Sequence, residues 1–176
     1  MKKKLIQVAL CACLAQGALA GQDSSDASAS VSLDTSGNAL SYGAYIDSTN
    51  RLKCLYGYVA DKTGDHAAAI LIFEDCMARW EDVYSMIWLA MMYENGTGVP
   101  RDLGKATGLM RRGALSAQTE GYATLARYHY GVALHQGRGV SPDAQAARHW
   151  LARAAAEGQG DAVAYLQLHF PPQSVP

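Results

Sequence analysis

The residues with the best claim to chemistry are four cysteines, five histidines and two short glycine loops. Gly96-Thr97-Gly98 and Gly137-Arg138-Gly139 have the spacing that opens a phosphate cradle. Neither continues to a third glycine, neither ends in Gly-Lys-Ser/Thr, and no strand pattern precedes them, so neither reads as a nucleotide loop. The histidines are His66, His129, His135, His149 and His169. No two stand four apart, and His129 and His135, six apart, point to different faces of a helix. A zinc site needs three or four converging ligands, so no metal is expected. No Gly-x-Ser-x-Gly elbow or Ser-His-Asp arrangement occurs, so no catalytic residue and no cofactor are assigned. Glu74-Asp75 and Glu81-Asp82 read as helix-surface and helix-start charges, not as an acid/base pair.

The elements that carry these residues begin after a leader. Lys2, Lys3 and Lys4 form a positive segment, Leu5 to Leu14 is an apolar run too short to span a bilayer, and Ala18-Leu19-Ala20 is a small-x-small cleavage site. Residues 1–20 are therefore expected to be a signal peptide, and the location periplasmic or secreted. A second reading takes Leu10-Cys11-Ala12-Cys13 as a loose lipobox with a lipid anchor at Cys13. No later run reaches the roughly 18 apolar residues of a membrane span. The net charge of −1 offers no basic field for nucleic acid. Residues 21–49 are read as a disordered linker, because 21–38 are rich in Ser, Asp, Ala and Gly and bring too little apolar surface to offset ordering entropy, while the pattern of 39–48 is ambiguous. The helical pattern runs over 50–170, and Pro171-Pro172 opens a loose tail, 171–176.

Repetition organises the helical part. GTGVPRD at 96–102 recurs as GRGVSPD at 137–143, an offset of 41. The offset carries outward, pairing Ala90 with Gly131, Ala106 with Ala147, Leu109 with Trp150 and Ala114 with Ala155. A shorter unit precedes, with Asp65 and Ala69 standing 37 residues before Asp102 and Ala106. Each unit reads as two helices and a turn. One helix covers about 82–95, Gly96 or Gly98 supplies the positive φ that closes it, and Asp102 caps the next. The later copy repeats this with Gly137, Gly139, Pro142 and Asp143. Asp161 is expected to cap a last helix ending near His169. The small paired residues mark places where two helices come close.

Leu89-Ala90-x-x-Tyr93-x-x-Gly96-x-Gly98-Val99-x-x-Asp102-x-x-x-Ala106 resembles the Sel-1-like repeat signature. Tyr130-Gly131 through Gly137-x-Gly139-Val140-x-x-Asp143-x-x-x-Ala147 resembles a second copy. That copy departs from the pattern at Leu134, where a Tyr is usual, and the turn after Ala117 is about four residues long for the family. The first unit is closer to a tetratricopeptide repeat, with Gly57, Gly64-Asp65, Ala69, Phe73 and Cys76 at that family's spacings. The resemblance implies an all-α fold: a short α/α solenoid of antiparallel helix hairpins whose first helices line a concave face.

The repeat register turns Leu89, Ala90 and Tyr93 inward, with Tyr130, Gly131 and Leu134 in the later copy. The neighbouring stripe carries Tyr84, Trp88 and Met91 at i, i+4 and i+7. Its equivalents by the offset are Leu125, His129 and Val132, and in the first unit approximately Arg51, Leu55 and Tyr58. Tyr84, Trp88, Met91 and His129 are taken as a partner-binding surface, since such residues anchor interfaces. The competing reading packs the same residues between adjacent first helices. Cys54 and Cys76 lie at similar heights on the two helices of the first hairpin, and in an oxidising compartment an even pair is expected to form a disulfide. The alternative is two buried thiols.

The function these readings support is an exported module that binds a partner peptide or helix in its concave face, possible settings being an envelope or secretion assembly. Two alternatives come from other classes: a structural subunit completed by a neighbour, and a small cell-wall-acting hydrolase.

Overall fold

The structure, a computed structural model, describes residues 42–171. The expected signal peptide, the lipid-anchor position Cys13, the linker as far as residue 41 and the tail from 172 lie outside these residues. Among the described residues there are seven α-helices and no strand: α1 (Lys53–Thr63), α2 (His66–Trp80), α3 (Val83–Asn95), α4 (Leu103–Ala114), α5 (Tyr122–Gln136), α6 (Ala144–Ala156) and α7 (Gly160–His169). A 3-10 turn, Tyr42–Tyr45, precedes them. It packs on α1 and α2, and Tyr45 stacks on Tyr56 with ring centroids 4.3 Å apart. Residues 42–49, read from the sequence as the end of a linker, thus include a segment folded against the first hairpin.

Four of the seven helices, α2, α3, α4 and α6, begin by one device. Asp65, Asp82, Asp102 and Asp143 each accept the backbone N–H three residues on, from Ala68, Ser85, Lys105 and Ala146, at 3.1, 3.0, 2.9 and 2.8 Å. Each such cap satisfies an amide the helix cannot, a contribution of about 1 kcal/mol. α7 departs from the expectation. Its cap position is Gln159 without a side-chain bond, and Asp161 falls inside the first turn, where its charge faces the positive helix end.

α1–α2, α3–α4 and α5–α6 are antiparallel hairpins, and α7 packs on α6 as a lone closing helix. Small residues set their approach. A Cβ on Gly57 would lie 2.6 Å from the Phe73 ring, and one on Gly131 would lie 2.8 Å from the Leu151 side chain. Ala90, Ala106, Ala114 and Ala147 are all buried in the core joining α3, α4, α5 and α6. Between hairpins, the backbones of α1 and α3, and of α3 and α5, approach more closely than those of α2 and α4 or of α4 and α6; Arg112 of α4 still reaches the Met77 carbonyl of α2 at 3.2 Å. The row of first helices is therefore the inner, closer-packed side of the stack.

The glycine loops are keyed into that stack. Gly98 and Gly139 have φ of +68° and +65°, a region that favours residues without a Cβ. A Cβ on Gly98 would lie 2.3 Å from the Cβ of His66 at the start of α2. A Cβ on Gly139 would lie 2.0 Å from the carbonyl oxygen of Leu103 at the start of α4. Each loop thus seats the beginning of the preceding hairpin's second helix, which explains both glycines without a ligand.

Candidate binding groove

Three elements of the inner row meet at one end. Residues 50–55 lead into α1, Asp82 to Tyr84 open α3, and Gln118 with Tyr122 come from the connection into α5. Together they line a groove of about 380 Å³. Leu52, Leu55 and Tyr122 are 62 %, 53 % and 47 % exposed, a high fraction for large apolar groups sharing one depression. Asp82 forms its polar floor. It caps α3, accepts the Ser85 hydroxyl at 2.7 Å, and pairs with Arg51 at 3.1 Å.

Tyr84 forms one wall, its ring 4.9 Å from that of Tyr122 and 6.5 Å from Phe73. Burial pushes its phenol pKa up to about 12, with Tyr122 and Tyr58 adding smaller contributions. The hydroxyl is thus a neutral donor at any ordinary pH.

The side of the groove formed by Gln118 and Tyr122 depends on a buried arginine. The connection 115–121 is longer than a tight inter-helix turn, and Arg127, fully buried, holds it from below. Its guanidinium donates to the carbonyls of Ala114, Ser116 and Gln118 at 3.1, 2.5 and 2.6 Å, and to Glu157 at 2.5 Å. Every donor direction but one is used to fix loop backbone or pair a carboxylate, which is what makes a buried guanidinium tolerable.

The other residues of the expected partner surface fall elsewhere. Trp88 is half-buried beneath α1, its ring 4.5 Å from Tyr58 and 6.0 Å from Tyr84, with the Lys62 ammonium 5.2 Å above it. Met91 packs against the core shared by α3, α4, α5 and α6. His129 lies beside Glu94, Thr107 and Arg138 at the seam of α3, α4 and α5. Burial depresses its pKa below the usual histidine value, with Glu94 opposing. The structure thus brings Tyr84 and Trp88 together and carries Tyr84 into the groove, but Met91 and His129 do not line it. Leu55, an equivalent position on the first hairpin, does line it. Gln118 and Tyr122 were missed because they sit at the one place where the repeat spacing is interrupted.

Cys54 borders the same groove. Its sulfur lies 2.14 Å from that of Cys76, with Cα atoms 6.0 Å apart, the distance of a disulfide. Beside this pair Lys53 is buried, donating to Asp75 and, at 2.6 Å, to the carbonyl of Ile46. Lys53, and then Arg79, hold the Asp75 carboxyl below the usual range. Asp75, expected as a plain surface charge, is half-buried and structural, whereas Asp82 is the helix-start charge expected. Among the described residues no three His, Cys, Asp or Glu side chains converge on a point that could hold a metal. No helix among them is long and apolar enough to cross a membrane.

Comparison with known proteins bears on two of the hairpins. The Sel1 repeat family matches residues 83–116 and 124–159, which are α3–α4 and α5–α6. No curated protein matches the chain. Among solved structures, the crystal structure of a Sel1 repeat protein from Oxalobacter formigenes is similar, with a TM-score of 0.59 and 24 % sequence identity over 72 % of this chain and 94 % of that one. At that identity the likeness bears on the fold, an α/α solenoid of helix hairpins.

Proposed function

Two hairpins of this chain match the Sel1 repeat, and from that premise we propose that its inner face holds a peptide or helix of a partner protein at the groove where α1, α3 and α5 begin. Sel1 repeats serve as protein-interaction scaffolds. The observation that carries the reading is the exposure of Leu52, Leu55 and Tyr122 around a depression with a polar floor. Apolar anchors around a few fixed polar groups are the usual composition of a binding cleft. The setting we propose is the cell envelope or an exported assembly. The leader pattern of residues 1–20 supports it, as does a cysteine pair at bonding distance, since disulfides persist in oxidising compartments.

The test uses the exported chain as bait in envelope extract, beside a Leu55→Ser/Tyr122→Ala variant. Both positions are solvent-facing, so the variant should keep its denaturant midpoint to within about 1 kcal/mol. Partner affinity should fall by about 2 kcal/mol or more. Recovery equal to wild type from the folded variant would move the binding site elsewhere.

A further inference from the structure

The charges along α1 identify the chemistry of the partner, an inference that rests on the groove reading above. Two ion pairs flank the exposed side of this helix, and both are oriented alike. In Arg51–Asp82 the basic side chain is 59 % exposed and the acid 9 %. In Lys62–Asp61 the figures are 52 % and 7 %. The carboxylates face inward, where they also engage Ser85 at 2.7 Å and His66 at 3.0 Å, and the cations face water. Arg51 and Lys62 are eleven residues apart in sequence. Arg51 sits in the turn just before α1 and Lys62 in its last turn, so the two cations stand at opposite ends of the helix, roughly three turns or 16 Å apart.

An apolar stripe runs between them. Leu52, Leu55, Tyr56 and Val59 follow the i, i+3, i+4, i+7 spacing of a packing face, and all four are exposed. Tyr45 stacks on Tyr56 at one margin. Leu52 and Leu55 belong also to the groove, so stripe and groove form one continuous surface.

We propose that this surface docks an amphipathic helix of a partner protein, with carboxylates bracketing its apolar stripe about three turns apart. The helical spacing of the exposed apolar residues suits a helix lying along α1. The two outward cations, with donors left over from their buried partners, suit acids at its ends. A second copy of this chain fits poorly. Antiparallel α1 helices would set Arg51 against the other copy's Lys62, and parallel ones would set each cation against itself.

Fluorescence anisotropy of the exported chain decides the matter, using two helical peptides of about 18 residues with the same leucine stripe. One carries Glu at two positions three turns apart and the other carries Lys there. The Glu peptide should bind at least about tenfold more tightly at low ionic strength, and the advantage should shrink as salt is raised. Arg51→Glu with Lys62→Glu should reverse the preference. Should that variant not fold, Arg51→Gln with Lys62→Gln should erase it. Equal binding of the two peptides would overturn the acidic partner and leave the groove reading standing. Binding of neither would overturn this proposal, and the groove reading falls with it only if envelope capture is also indifferent to Leu55→Ser/Tyr122→Ala. Self-association abolished by Leu55→Asp would overturn it in favour of a second copy.

Discussion

In α1–α2 a cysteine pair and a buried lysine tie the two helices together. In α5–α6 no covalent tie joins the helices: Gly131 packs on Leu151, as Gly57 packs on Phe73 in the first hairpin, and buried Arg127 pairs with Glu157 at the end of α6. The difference follows from position. α5–α6 is flanked by α4 on one side and α7 on the other, whereas among the described residues α1–α2 has a neighbouring hairpin on one side and only the short 3-10 segment packed on it besides. A repeat draws much of its stability from stacking on its neighbours. Among the described residues the end unit lacks half of that interface, and a covalent link within the hairpin stands in for it. The exposed stripe on α1 is the other face of the same fact.

Three measurements break or sharpen this contrast. The largest effect belongs to the stacked region. Gly139→Val forces a side chain against the Leu103 carbonyl and into a φ that β-branched residues avoid. A loss of about 4 kcal/mol or more is expected in urea unfolding. Gly98→Val, which meets the Cβ of His66, an atom fixed by its backbone, should cost nearly as much. Small losses in both would show that the loops are not keyed to the helices beneath them.

A middle-sized effect belongs to the end unit. The cysteines are 22 residues apart in sequence. Opening a loop of that size costs about 3 kcal/mol in the chain-entropy model. Cys54→Ala/Cys76→Ala should lose that much, and the wild type should lose it on reduction, with hydrogen exchange rising in α1 and α2 before α5 and α6. Protein isolated from the periplasm that alkylates at both cysteines without reductant would contradict the link.

The smallest effect is a pH slope from the stacked region. Burial holds the pKa of His129 below the ordinary 6.5. The unfolded chain therefore takes the proton first as the pH falls. The neutral ring's contribution is fully present above the unfolded value and is lost as the pH drops below it toward the folded one. His129→Gln should flatten the stability profile between about pH 7 and pH 5. Unchanged slopes would mean that the ring is solvated in the folded state.

Much of this architecture was legible in the sequence, for reasons tied to particular residues. Asp102 and Asp143 announce helix starts because a short acceptor side chain at that position satisfies a free amide. Gly98 and Gly139 announce tight seating by recurring at the repeat offset, and the heights of Cys54 and Cys76 followed from counting outward from one turn. What escaped depends on contacts distant in sequence. Lys53 and Arg127 belong to residue types that are rarely fully buried. Nothing local shows that Asp75 with the Ile46 carbonyl, or Glu157 with three loop carbonyls, will enclose them. The groove was half legible. Tyr84 and Leu55 lie on a stripe that periodicity reveals, while Tyr122 takes its place from the length of the 115–121 connection, which the repeat does not encode.

The seating of Gly98 against His66 and of Gly139 against Leu103 has a direction: each loop closes on the helix pair made before it, never on the one to come. A chain leaves the ribosome, or a translocation channel, amino end first. Each new loop therefore meets a finished surface on arrival and can settle without waiting for later residues. Assembly of the stack can proceed like a zip drawn one way, with the disulfide-bearing hairpin as its anchored end.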